Sequence, residues 1–101
     1  MKLKFTVNRV AAVEENLGVT LPILLSRMQS DEGLGLVDLR AFVAAGSADE
    51  MYDRAATTCG IFFSLDLAKA GVAIERVGIN AASKAVGVAM GAFLARVSKG
   101  V

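Results

Sequence analysis

Asn80-Ala-Ala-Ser-Lys-Ala-Val-Gly-Val-Ala-Met-Gly-Ala-Phe-Leu-Ala-Arg-Val97 is the stretch that decides the fold class. Ala81, Ala82, Ala85, Val86, Ala89, Met90, Phe93, Leu94 and Val97 recur three and four residues apart and make one broad apolar stripe on a helix capped by Asn80. Gly87, Gly91 and Ala95 form a second, smooth stripe against which another helix can approach closely, and packing against the first or third helix of the same chain is expected there.

Upstream, the same period returns in shorter pieces. Ser64 is a cap for a helix through Leu65, Leu67, Ala68, Val72 and Ile74 to Val77, with Gly71 inside it and Gly78 closing it. Ser47 and Glu50 read as a capping box for a helix with Met51 and Ala55 inward, which fades near Cys59 and Gly60. Ile61-Phe62-Phe63 follows as an apolar knot, either core or contact surface. Leu36, Leu39, Phe42 and Val43 predict a helix over Leu36 to Ala45, ended by Gly46.

Thr20 caps a helix with Pro22 in its first turn and Leu21, Leu24, Leu25 and Met28 inward. Asn8 caps a helix to Leu17, with Val10, Val13 and Leu17 as its stripe, Glu14 and Glu15 outward and Gly18 as its stop. Only Lys2 to Val7 alternates, with Leu3, Phe5 and Val7 on one face, the period of a strand. The expected fold is one domain over residues 1–101, mostly α, a compact bundle of about five short helices. To this the N-terminus adds a short β-strand or an extended arm.

The composition bounds the function. Hydrophobic residues make up 54% of 101 positions, so some apolar surface must remain for a partner or a second copy. With no His and a lone Cys59, the usual zinc sites, disulfide frameworks and His-based acid–base catalysis have no residues to build on. Glu14-Glu15, Asp31-Glu32 and Asp49-Glu50 read as a helix face, a loop and a helix first turn, and adjacent side chains on a helix diverge. An enzyme is therefore not expected, nor is a cofactor or a metal.

Residues 1–50 hold five basic and seven acidic groups, whereas Lys84, Arg96 and Lys99 are the only charges from residue 77 onward. Three cations are few for nucleic-acid binding. Ala82 to Leu94 has the spacing of a helix-turn-helix with Gly87 at the turn, but Ala, Met, Gly and Phe stand where base-reading side chains belong. No signal peptide is visible in Met1 to Val7, and Ala81 to Leu94 is shorter than a membrane span and contains Lys84. A cytoplasmic protein with no membrane contact is expected.

The order of segments resembles the small tail assembly chaperones of long-tailed phages and gene transfer agents. The residues that carry the likeness are Leu3-Lys-Phe5, then Val13-Glu-Glu-Asn-Leu-Gly18 with Leu21 and Leu24, then Gly35-Leu-Val-Asp-Leu-Arg-Ala-Phe-Val-Ala-Ala-Gly46. Ser64-Leu-Asp-Leu-Ala-Lys-Ala-Gly71, Val77-Gly78 and the Ala-rich terminal helix continue it over nearly the whole chain. The departure is Ala48 to Phe63, longer than the connector the family pattern has after Ala-Gly.

The resemblance implies a protein of the infected cell that binds the tape measure protein and keeps it soluble until tail tube subunits assemble around it. A homo-oligomer and contact with the tail tube protein go with that role. A helix-in-groove mode would use adaptable side chains, with Met90, Phe93 and Leu94 as the first candidates and Phe62 and Phe63 as the second. Each of these is also a candidate for the core. Two other functions stay open, a structural tail or head–tail connector subunit and the helix-turn-helix regulator.

Overall fold

The computed structural model describes residues 1–48 and 65–98. Five α-helices follow one another in these segments: α1 (Val7–Leu17), α2 (Leu21–Gln29), α3 (Leu36–Gly46), α4 (Leu67–Val77) and α5 (Ile79–Ser98). No strand occurs among the described residues. The chain is mostly helical, as the periodicities require. The helix expected after Ser47, with Met51 and Ala55, lies outside the described residues, as do Cys59, Phe62, Phe63 and the expected cap Ser64.

α3 is the hub, packing against α1, α4 and α5. Asp38, Leu39 and every residue from Ala41 to Gly46 are buried, which is the signature of a helix apolar nearly all round. Its Leu39, Phe42 and Val43 join Val10 and Val13 of α1, Leu24 of α2, Ile74 of α4 and Val86, Met90 and Phe93 of α5 in one core. Leu21, Leu25 and Met28 pack partly buried against it, so the inner face expected for α2 is the observed one.

The N-terminal alternation resolves as an arm. Val7 opens α1 and is 64% exposed, because the Thr6 hydroxyl accepts from Arg9 N and so caps the helix two residues before the expected cap Asn8. Leu3 and Phe5 turn inward, and Lys4 N donates to Gly46 O at 2.9 Å. Among the described residues, a single backbone bond to a helix end takes the place of a ladder, and no sheet forms there. The Phe5 ring meets Phe42 edge-on at 5.8 Å.

The caps explain the boundaries. Gly18 ends α1 in the left-handed conformation, with its N–H on Glu14 O. Glu14 does not simply face solvent: its carboxylate accepts from Leu21 N at 2.6 Å, satisfying an orphan donor at the start of α2. Thr20 precedes α2 without a side-chain cap bond. Asp66 caps α4 by accepting from Lys69 N, and Gly78, at φ 94, turns the chain by 114° into α5. Asn80 stands inside α5 as its second residue, two positions past Gly78, and so is not its cap. No single helix among the described residues is long and apolar enough to cross a membrane.

Candidate protein-binding grooves

Burial sorts the residues expected to contact a partner. Met90 and Phe93 are 1% and 4% exposed and belong to the core, while Leu94 is partly buried against it. As folded, neither Met90 nor Phe93 offers a surface. Phe62 and Phe63 lie outside the described residues.

The glycine stripe has the opposite fate. Gly87 and Gly91 are exposed, and a Cβ on either would meet nothing within 4 Å, so no helix of this chain packs there among the described residues. α5 also runs without a break through Gly87, so the turn that a helix-turn-helix requires at that position does not exist.

Part of the uncovered apolar surface gathers where α3, α4 and α5 meet. Leu36, Val37 and Arg40 of α3, Gly71, Ile74 and Glu75 of α4 and Ile79 of α5 line a groove of ≈ 390 Å³. Leu36, Val37 and Ile79 are 60%, 63% and 53% exposed. Leu36 thus leaves the inner stripe in which its spacing placed it, since it sits at the first turn of α3, ahead of the buried residues that begin at Asp38. Val72 on α4 is likewise exposed, and Ala70 and Ile74 carry the buried face of that helix.

Gly71 shapes the groove. A Cβ at that position would stand 3.8 Å from Arg40 Cδ, so the aliphatic part of Arg40 lies over the gap left by the missing side chain. The lining is apolar with one cation and one carboxylate, Arg40 and Glu75. Such a surface has room for an apolar side-chain stripe and offers one charge of each sign, but no nucleophile–base pair for chemistry. Val37, Arg40, Glu75 and Ile79 were not legible as a site. The available signal was surplus: Leu36-Val37 adds consecutive apolar residues to a helix whose inward stripe is complete without Val37.

Arg9, to which the sequence alone gives no role, and Arg96 of the basic tail organise the neighbouring structure. Arg9 is 2% exposed and its Nη1 donates to the carbonyls of Ala45 and Gly46 at 3.3 and 3.2 Å, and to Lys4 O at 3.4 Å. Arg96 donates from Nη2 to Phe5 O and stands 5.9 Å from the centre of the Phe93 ring. Both tie the arm to the helices, so Arg96 in the basic tail is engaged within the fold. Comparison with protein-family models, with curated proteins and with solved structures finds no match.

Proposed function

We propose that this chain is a phage tail assembly chaperone that binds the tape measure protein through an amphipathic helical segment and keeps it soluble until the tail tube assembles. The observation that carries the reading is the groove between α3 and α4, where Leu36, Val37 and Ile79 leave apolar surface open beside Arg40 and Glu75. A helix laid there buries its apolar stripe against these side chains, the recognition mode of many helix-binding domains. The segment order described above supports the choice of client. The chain works by binding, without catalysis or cofactor, in the cytoplasm of the host cell, as a homo-oligomer that delivers its client to the tail tube protein.

Co-expression with the tape measure protein of the same genome tests this. The soluble fraction of the client rises with the native chain and falls back to the chaperone-free level with L36E/V37E. That variant keeps its fold, because both positions are exposed and a carboxylate in the first turn of a helix complements its dipole. A client equally insoluble with and without the chain overturns the proposed function, and a fully active L36E/V37E overturns the groove.

A further inference from the structure

α5 buries one face through Ala82, Val86, Met90 and Phe93 and leaves a second apolar face open. Ala81, Ala85, Val88 and Ala92 recur along it, and beside them the N-terminal arm raises a wall containing Lys2 and Leu3, so that helix and arm bound a groove of ≈ 490 Å³. Val88 is 68% exposed on its floor. Positions 81 to 92 span about 16 Å at 1.5 Å per residue, the length of about three turns of a docked helix. Alanines on the floor let the backbone of a partner helix come close and leave the space for its larger side chains.

Charge identifies the occupant. Lys2 and Lys84 are the only charged side chains lining the groove among the described residues. A second copy seated here by twofold symmetry would set these lysines against one another with no carboxylate to relieve them. Nucleic acid would find two cations over an apolar floor where several phosphate contacts are needed. We propose that this groove is a docking surface for an amphipathic helix of another protein whose apolar stripe is flanked by Asp or Glu. The partner's large apolar side chains fill the space over Ala85 and Val88 while its carboxylates meet the ammonium groups of Lys2 and Lys84. The lysine stems extend the apolar wall and their charged heads stay at the rim.

The test needs no tape measure protein, so its outcome is separate from that of the proposed function. A synthetic helix of about four turns, with Leu at three- and four-residue spacing and Glu elsewhere, is titrated into the full-length chain by fluorescence anisotropy and by amide chemical-shift mapping. Its twin carries Lys in place of Glu. The acidic peptide is expected to bind at least about tenfold more tightly than the basic one, equivalent to about 1.4 kcal/mol, with shifts centred on Ala85 and Val88. K2E/K84E, at two exposed positions, reverses the preference, and Val88→Glu weakens the acidic peptide while the melting curve is unchanged. The proposal is overturned by equal binding of both peptides, by no binding of either, or by a preference that survives K2E/K84E. Shifts centred on Val37 and Ile79, or binding to phosphatidylglycerol vesicles alone, also overturn it.

Discussion

Gly46 leaves open the space that the Phe5 ring needs: a Cβ at this position would stand 2.9 Å from Phe5 Cζ and 3.1 Å from Leu3 Cβ. The glycine closes α3, where alanine would ordinarily favour the helix by about 1 kcal/mol. Phe5 is 1% exposed and fixed against Phe42, so it has little room to yield. The contact wins over the propensity. Gly46→Ala is expected to lower stability by about 1–3 kcal/mol in urea unfolding, and a gain in stability would show that the arm is not seated on α3.

Replacing Arg9 by Met keeps much of the volume and removes the donor to three backbone carbonyls. A hydrogen bond to a charged group contributes about 1.5–3 kcal/mol, and carbonyls left buried without a partner add to the loss. We expect Arg9→Met to destabilise the fold by about 2–4 kcal/mol on that scale. Faster amide exchange at Lys4, whose N–H is bonded to Gly46 O, should accompany it. Unfolding curves that overlay those of the native chain would contradict the role given to Arg9.

Arg27 and Asp38 pair across the loop between α2 and α3, with Nη1 at 3.1 Å from Oδ1 and side chains 43% and 13% exposed. The cation lies in the last turn of α2 and the anion in the first turn of α3, each at the end its helix dipole favours. Water still reaches the guanidinium. A double-mutant cycle with Arg27→Met and Asp38→Asn is expected to yield a coupling of about 0.2–1 kcal/mol that shrinks in high salt. A coupling well above that range would mean the pair is shielded from solvent.

Gly71, Gly87 and Gly91 lie inside helices with no steric demand for glycine: a Cβ at Gly71 makes ordinary contact and at the other two meets nothing. Alanine at each is expected to raise stability by about 0.5–1 kcal/mol, read as a higher urea midpoint at unchanged slope. A loss at Gly87 or Gly91 would reveal a neighbour pressed against that stripe. Gly71→Ala has a second readout, weaker binding of the proposed client, because the added methyl fills part of the groove beside Arg40.

Periodicity placed the helices because an amphipathic helix repeats its apolar residues locally, within two turns, whatever it packs against. The inner face of α2 was legible for that reason, as was Gly18, whose positive φ is a property of one residue; in α5 the stripe merged the buried face with Ala81 and Ala85, which line an open groove. The arm was not, because alternation over six residues does not say whether another strand stands alongside, and here Gly46 O takes the bond instead. The candidate groove was legible only as surplus apolar content. Its position follows from where α3, α4 and the start of α5 converge and from Gly71 having no side chain between them.

By itself, then, the sequence determined a mostly helical chain, the glycine stops at Gly18 and Gly78, and an apolar content too high to bury completely. Tertiary structure alone decided which apolar residues stay outside: Met90 and Phe93 go into the core, while Leu36, Val37, Val72 and Val88 remain at the surface. The same hydrophobic effect acts on all of them. Burial, however, depends on which helices stand opposite, a relation between segments far apart in the chain that no local spacing encodes. Arg9 makes the point most directly: it is charged, near the N-terminus and deep inside, because the carbonyls it serves are brought to it from Ala45 and Gly46.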